Sequence, residues 1–249
     1  MKRILKWFGI ILLLLIVGLF IAGWIISEPL PAGTSGPEAE ALAKKMQMAT
    51  HQTAWDTTHY ISWNFADRHH LLWDRNRNFV QVSWSENKVI LNTQNHLEGV
   101  VWENGAEISD EEDKIEKLNE AWSYFCNDSF WLNAPGKIFD PGTSRKIVEM
   151  EDGSQGLMIS YSSGGVTPGD SYLWILDETG LPIKWKMWVN IIPIGGLEAT
   201  WDNWTSLPTG AKVATAHKIG WYESGLTEIK AGNSWEAIGI AEDPFLPIL

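Results

Sequence analysis

Hydrophobic and polar positions change their spacing several times along the chain, and each change predicts a different element. Residues 7–26 are 20 consecutive uncharged residues. As a helix that rises about 1.5 Å per residue, they would cross roughly the 30 Å hydrocarbon core of a bilayer. Lys2, Arg3 and Lys6 precede this segment, and cationic flanks stay on the cytoplasmic side. We therefore predict an N-terminal transmembrane helix, within residues 1–28, that places the rest of the chain outside the cytoplasm.

A cleaved signal peptide is the alternative interpretation of the same segment. The apolar region of a signal peptide is usually about 7–15 residues long and ends in small residues spaced A-x-A. Here the apolar run is longer, and Leu30-Pro31-Ala32 is a poor cleavage site. The sequence thus predicts a single-pass protein of the inner (cytoplasmic) membrane with its N-terminus inside and its domain in the periplasm or outside the cell. Cleavage of the segment would make the protein secreted.

The chain after the anchor begins with a short linker and a helix. Residues 29–36 are rich in Pro and Gly, which predicts a linker before a folded domain at residues 37–249. Pro37 occupies the first position of the predicted helix, where its missing N–H costs no hydrogen bond. Apolar residues then recur every three or four positions, so one face of this helix covers other structure. These apolar positions are Ala39, Leu42, Ala43, Met46 and Ala49.

From about Thr58 the apolar residues alternate with polar ones, which is the period of a strand. Ile61, Trp63 and Phe65 begin this series, and short polar clusters separate the later runs. Such runs predict antiparallel hairpins with one solvated face. Asn104-Gly105 predicts a type I′ hairpin turn. Further strands are predicted near residues 71–73, 80–84, 89–91, 100–102, 156–161, 171–176, 183–187, 197–204 and 213–221.

A second helix interrupts the strands. Ser109 followed by Glu112 has the spacing of a capping box, and the acidic residues 110–113 suit the first turn of a helix. An apolar stripe follows at helical spacing and contains Ile115, Leu118, Trp122, Phe125 and Cys126. Together the elements predict an α+β, mainly β fold, in which two main helices cover a large curved antiparallel sheet, a half-barrel of about 9–11 strands. The apolar tail, residues 235–249, is expected to pack against this body.

The amino-acid composition excludes several kinds of binding site and partner for this chain. The chain is 45% hydrophobic and 20% charged, which is ordinary for a globular protein. Its single Cys excludes an intramolecular disulfide and a Cys-rich zinc site. The net charge is −12 and becomes −15 when the three cations before residue 7 are left out. An acidic domain argues against nucleic acid as a partner, because phosphate backbones select basic surfaces.

The residues give no pattern of catalysis or metal binding. The chain has no G-x-S-x-G nucleophile motif, and Cys126 belongs to the apolar stripe of the second helix. His69 and His70 are adjacent on a predicted strand and would point to opposite faces, so they cannot share a metal ion. We therefore predict no enzyme activity, no metal and no cofactor. A cleft that held His69 or His217 beside two carboxylates would instead indicate catalysis.

Tryptophan is the unusual residue of this chain. Two of the 16 Trp lie within residues 7–26, and many of the other fourteen share a face with apolar residues on predicted strands. Each Trp buries about 150–250 Å² and carries one N–H group, so a face rich in Trp is bulky and amphipathic. We predict a Trp-lined cavity for a lipid, an acyl chain or another hydrophobic ligand. Its predicted wall consists of Trp63, Phe65, Trp84, Trp174, Trp185 and Trp201.

Two other interpretations of the Trp residues remain open at this point. Exposed Trp would stack on sugar rings and make the domain an envelope glycan-binding module. Alternatively, the Trp residues fill an ordinary core beneath the two helices and the protein is a purely structural exported domain.

One stretch resembles a known group of proteins. Residues 128–142 read DSFWLNAPGKIFDPG, which is similar to a W-L-x-x-P-x-K-x-x-D-x-G stretch in uncharacterised bacterial exported proteins. The matched positions are Trp131, Leu132, Pro135, Lys137, Asp140 and Gly142. The order of elements over residues 37–230 also resembles the LolA/LolB-like lipoprotein-carrier superfamily. This resemblance implies a half-barrel that wraps an apolar cavity under helices, and a tethered lipid-binding or envelope-maintenance role.

Overall fold

The computed structural model describes residues 7, 8, 10–12, 14, 15, 18, 23 and 25–249. Much of the predicted N-terminal span, residues 7–26, lies outside the described residues. Among the residues that are described, no helix is both long enough and apolar enough to cross a membrane.

Within the described ranges the chain forms an α+β, mainly β fold, as the sequence pattern predicts. The helices are α1 (Pro37–Ala49), α2 (Gln52–Asp56) and α3 (Glu111–Asn133), with short 3₁₀ helices at Ala134–Lys137, Glu236–Ile238 and Leu246–Ile248. The first seven strands are β1 (Tyr60–Phe65), β2 (His69–Asp74), β3 (Phe79–Trp84), β4 (Asn87–Asn92), β5 (Asn95–Glu103), β6 (Ala106–Glu107) and β7 (Thr143–Glu149). The remaining strands are β8 (Gln155–Tyr161), β9 (Ser171–Leu176), β10 (Pro182–Trp188), β11 (Leu197–Thr200), β12 (Asp202–Ser206), β13 (Lys212–Ile219) and β14 (Tyr222–Gly232).

The strands form two antiparallel sheets rather than the single sheet that was predicted. One sheet has nine strands in the order β12-β13-β14-β1-β2-β3-β4-β5-β6, and the other has five in the order β11-β10-β9-β8-β7. Trp201 lies between β11 and β12, and its backbone N–H donates to the carbonyl oxygen of Ile183 at 2.8 Å. At the same junction, Thr200 accepts hydrogen bonds from His217 Nδ1 and the Lys218 N–H. The two sheets therefore meet at Trp201.

The predicted number of strands was too low, because three segments do not show a clear alternation. Residues 197–204, predicted as one strand, are divided at Trp201 between the two sheets. The pattern gave no strand for β7, in which charged and polar residues occupy most positions. It also ended before β14, in which Glu228 has a positive φ of 52° and the pairing with β1 is shifted by a bulge.

The two main helices are confirmed, with corrections at α3. Asp110, not Ser109, caps this helix, because its side chain accepts hydrogen bonds from the N–H groups of Glu112 and Asp113. Ile115 is exposed rather than buried, whereas Leu118 and Phe125 are in the core as predicted. Asn104 and Gly105, with φ of 52° and 79°, form the tight turn between β5 and β6.

α3 packs against both sheets and connects two apolar clusters. Its N-terminal half meets the nine-stranded sheet through Leu118, Ala121 and Phe125. Its C-terminal half meets the five-stranded sheet through Phe130 and Trp131, beside Ala43 and Met46 of α1. The space beneath α3 is thus occupied by side chains.

The chain ends cover the outer faces of the sheets. Ile238 and Phe245 of the tail pack on Leu72 and Ile90, which confirms that the tail lies against the body. Arg77 fixes this tail with two hydrogen bonds to the carboxylate of Asp243, at 2.6 and 2.8 Å.

At the other end, the residues after the predicted anchor lie against the five-stranded sheet. The Glu28 N–H donates to the Gly195 carbonyl oxygen at 2.9 Å, and Lys186 Nζ lies 2.6 Å from the Glu28 carboxylate. Thr34 forms a β-bridge with Ile147. These contacts hold both ends of residues 28–34 on the domain.

Candidate functional site

The structure places the six predicted wall residues in the interior, on the sheet faces that α3 covers. Trp63, Phe65 and Trp84 belong to the cluster of the nine-stranded sheet, and Trp174, Trp185 and Trp201 belong to the cluster of the five-stranded sheet. Five of the six are buried, and Phe65 is partly buried. They therefore form two groups, and the second group is the more compact.

We call this second group the aromatic chamber, which is formed by Trp131, Trp174, Trp185, Trp201 and His217. The rings of Trp174, Trp185 and Trp201 lie with their centroids 4.7–5.0 Å apart. Trp131 enters from α3, with its ring centroid 4.9 Å from both Trp185 and His217. Such tilted and edge-to-face contacts stabilise aromatic pairs by about 0.5–1.5 kcal/mol beyond the burial of their area.

The aromatic chamber contains buried polar atoms without partners. The indole N–H groups of Trp174, Trp185 and Trp201 and the Nε2 atom of His217 have no hydrogen-bond partner in the described part of the chain. Outside the chamber, Trp188 and Trp204 donate their indole N–H groups to backbone carbonyl oxygens, each at 2.8 Å. A buried polar atom that is left unpaired costs about 1–3 kcal/mol. The concentration of such atoms in one apolar cluster is the unusual chemical feature of this core.

His217 is a buried, neutral ring in the aromatic chamber. Its side chain is buried, and its Nδ1 lies 3.1 Å from the Thr200 carbonyl oxygen, so Nδ1 carries the proton. Burial lowers the pKa of His217 to about 4, and the bond to Thr200 and the charge of Asp202 offset part of this effect. At neutral pH the ring is therefore uncharged.

A buried hydrogen bond between Asp128 and His69 fixes α3 over the strands. Asp128 is fully buried, its Oδ2 lies 2.7 Å from Nδ1 of His69, and its Oδ1 accepts from Asn127 at 2.9 Å. Burial raises the pKa of Asp128, and the hydrogen bonds from His69 and Asn127 offset part of the rise. The His69 ring also stacks on Tyr124, with centroids 3.9 Å apart.

No local pattern indicates this contact, because 59 residues separate its partners. Adjacent strand residues do point apart as predicted, since His69 is partly buried and His70 is exposed. His69 also lines a cleft of about 320 Å³ together with Asp67 and Ser83. Among the described residues, Asp67 is the one carboxylate that lines this cleft and Asp128 does not line it, so His69 does not meet the condition of two carboxylates set above; His217 lines neither described cleft.

The structure also locates the single cysteine and an exposed tryptophan. Cys126 is partly buried on α3, and burial raises the pKa of its thiol to about 12, which opposes formation of a reactive thiolate. The exposed Trp that the glycan interpretation needs is Trp221, in the turn between β13 and β14, with 93% of its surface accessible. In the described residues, no three His, Cys, Asp or Glu side chains are grouped so that they could hold a metal ion.

Fold and site together define a mainly β domain with an aromatic interior beneath a long helix. No family model and no curated protein matches the sequence. Among solved structures, the chain is similar to a DUF1329 family protein from Desulfovibrio piger, with 10% sequence identity and a TM-score of 0.42. The similarity covers 80% of this chain and 96% of that protein. At this identity and TM-score the similarity assigns neither a family nor a function.

Proposed function

We propose that the chain is a non-catalytic, membrane-anchored extracytoplasmic domain that binds a hydrophobic ligand in the aromatic chamber. The ligand class is a lipid or an acyl chain, and the role is one in the cell envelope. The supporting observation is the group of unpaired buried polar atoms on Trp174, Trp185, Trp201 and His217 inside an otherwise apolar cluster. The half-barrel of the LolA/LolB-like resemblance would give such a ligand the same position, under the helices.

The chemistry of the chamber favours an acyl chain with a carbonyl group. Ring faces provide contact for a hydrocarbon, whereas an ester or carboxylic acid oxygen accepts hydrogen bonds from indole N–H groups. Each hydrogen bond made to an unpaired indole recovers part of the free energy that burial costs. Phe130 and Trp131 occupy the space nearest to these rings, so entry of a ligand requires the C-terminal half of α3 to move outward.

The anchored position is supported by the sequence and by the contacts of residues 27–34. The apolar residues 7–26 follow three cations, as in a single-pass protein with its N-terminus inside. Ser27 and Glu28, which come directly after this segment, are bonded to Gly195. The anchor would therefore enter the bilayer close to the five-stranded sheet.

The test is a titration of the full-length chain, held in amphipol, with a dibrominated C18 fatty acid that quenches Trp fluorescence on contact. We expect saturable quenching with one fatty acid per chain. Combined Trp→Phe substitution at 174, 185 and 201 should remove the saturable phase. The matched control replaces Trp102, Trp188 and Trp221 by Phe, because these residues lie outside the chamber, and should keep it. Linear quenching without saturation, or an unchanged saturable phase in the chamber variant, would refute the proposal.

Hydrolysis is a second candidate function, favoured by His69. A histidine whose Nδ1 is bound to a buried carboxylate can act as a general base through Nε2, and His69 lines a cleft. The assay is hydrolysis of p-nitrophenyl acetate by the full-length chain. His69→Gln should then lose the activity and His70→Gln should retain it. Equal rates for the two variants would exclude this candidate.

A further inference from the structure

A second site lies at the C-terminal end of α3, where the helix meets α2 and the end of β2. It is a cleft of about 180 Å³, which we call the polar cleft, and it is lined in part by Gln52, Trp55, Trp73, Arg75, Asn133 and Lys137. Asp140 also lines the cleft, and both Lys137 and Asp140 are matched positions of the stretch at residues 128–142. The polar cleft shares no lining residue with the aromatic chamber, so a ligand here is independent of the proposed function.

The walls of the polar cleft are held rigidly. The guanidinium carbon of Arg75 lies 5.1 Å from the ring centroid of Trp55 and 5.3 Å from that of Trp73. Arg75 Nη1 donates to the carbonyl oxygens of Trp55 and Thr58. Trp73 in turn meets Phe125 of α3 edge-on, with centroids 5.0 Å apart. The cleft is therefore formed before any ligand binds, which reduces the entropy lost on binding.

Two buried polar atoms of the cleft residues have no protein partner. Gln52 donates through Nε2 to Asp56 at 2.7 Å, but its Oε1 is unpaired among the described residues. The indole N–H of Trp73 is likewise buried and without a partner in the described part of the molecule. The site thus offers one unused acceptor and one unused donor, both on neutral side chains.

Gly136 lets the backbone pack closely against two side chains of the cleft wall, Gln52 and Asn133. A Cβ atom at this position would lie 2.8 Å from Gln52 Oε1 and 2.3 Å from Asn133 Nδ2. Both distances are far shorter than a normal van der Waals contact, so any side chain here would displace these groups. Because glycine has no side chain, the backbone at Gly136 lies close to the side-chain amides of Gln52 and Asn133. The Gly136 N–H donates to Asn133 Oδ1 at 3.2 Å.

The charges and size of the cleft define its ligand. Arg75 and Lys137 balance Asp56 and Asp140, so the lining carries no net charge that would select an ion. A volume of about 180 Å³ is well below the roughly 300–1,000 Å³ of sites for drug-sized ligands, which leaves room for one small ring. A hydroxyl group both donates and accepts, and so matches an unused amide oxygen and an unused indole N–H together.

We propose that the polar cleft binds one neutral sugar ring. The ligand is a single hexose unit, free or at the end of a glycan, whose hydroxyl groups pair with Gln52 Oε1 and Trp73 Nε1. Lys137 and Asp140 at the same cleft contact further hydroxyls. Glycine is a zwitterion with the same zero net charge as a sugar, and it therefore tests whether the charged side chains of the cleft, rather than its two neutral atoms, select the ligand.

The test is saturation-transfer NMR and calorimetry on the full-length chain in amphipol, with D-glucose, D-galactose, N-acetylglucosamine and glycine as separate probes. We expect saturable binding of at least one sugar and none of glycine. Trp73→Phe keeps the ring and removes the N–H, so it should weaken binding by about threefold to tenfold. Gln52→Leu should act similarly, and Gly136→Ala should abolish binding. Trp102→Phe is the matched control, since Trp102 packs at the other cluster beside the tail, and should bind as the unaltered chain does.

Three results would overturn this proposal. They are the absence of sugar binding at millimolar concentration, saturable binding of glycine in place of sugar, and sugar binding that Trp73→Phe leaves unchanged. A folding defect is separated from a loss of contacts by far-UV circular dichroism and urea unfolding, in which a folded Trp73→Phe variant matches the unaltered chain. Failure of sugar binding with normal fatty-acid binding would refute the site but not the proposed function.

Discussion

Replacement of His217 by Asn should make the stability of the domain less sensitive to acid. His217 is 1% exposed, and its folded-state pKa is lowered from 6.5 to about 4. The unfolded chain therefore binds a proton more readily than the folded chain between these two pH values. The stability that the neutral ring provides is present above pH 6.5 and is lost as the pH falls toward about 4.

The size of this effect follows from the two pKa values. Between pH 7.5 and pH 4.5, one group with pKa values of 6.5 unfolded and about 4 folded contributes roughly 2–3 kcal/mol to the loss of stability. Asn is the informative replacement, because its Nδ2 can take the place of His Nδ1 as donor to the Thr200 carbonyl oxygen. It has no proton to gain in this pH range, so this contribution should disappear.

The assay is urea unfolding of the full-length chain at both pH values, followed by Trp fluorescence. His217→Asn will lower stability at pH 7.5 because the smaller side chain leaves a cavity. The informative quantity is therefore the change in stability between the two pH values, which should be roughly 2–3 kcal/mol smaller in the variant. His70→Asn, the same substitution at an exposed histidine, is the control. Equal pH dependence in the unaltered chain and in His217→Asn would refute the assignment of a buried neutral ring.

Three further predictions concern α3 and its partners. Asp128→Ala leaves His69 without its buried partner and should lower the free energy of unfolding by about 3 kcal/mol, measured by urea titration, with Asp128→Asn losing less. Gly99→Ala places a Cβ atom 2.5 Å from both the Ile90 carbonyl oxygen and Leu118 Cδ2, so the melting temperature should fall, and an unchanged value would contradict this packing. Cys126, with its thiol pKa raised to about 12, should resist iodoacetamide at pH 8 until urea unfolds the chain, and rapid labelling of the folded protein would show an accessible thiolate.

The sequence predicted the elements whose signal is local. Pro37 marks the start of α1, Asn104-Gly105 marks the turn after β5, and alternation marks β1 and β3. Each of these depends on residues within one turn of helix or one hairpin. The α+β class followed from the same signals, because an alternating face and an apolar helical stripe must cover each other.

The interior arrangement could not be predicted, because it depends on pairs that are far apart in sequence. The alternation of β13 places His217 on the same face as Val213, which indicates burial but not its neighbour Trp131. The bond between His69 and Asp128 joins a strand end to the middle of a helix. In the sequence Trp131 is only a position of a motif, whereas in the structure it fills the space among the predicted wall residues.

The contacts of residues 27–34 have a mechanical consequence. A tether of this length would let a domain swing and rise from the residue where an anchor ends. Glu28 instead forms a hydrogen bond with Gly195 and an ion pair with Lys186, and Thr34 forms a β-bridge with Ile147. These residues are therefore held against the domain and cannot serve as a flexible tether. An anchor at residues 7–26 would then hold the five-stranded sheet against the bilayer in one orientation. The domain could accept molecules that arrive at the membrane surface, but it could not reach out to collect them.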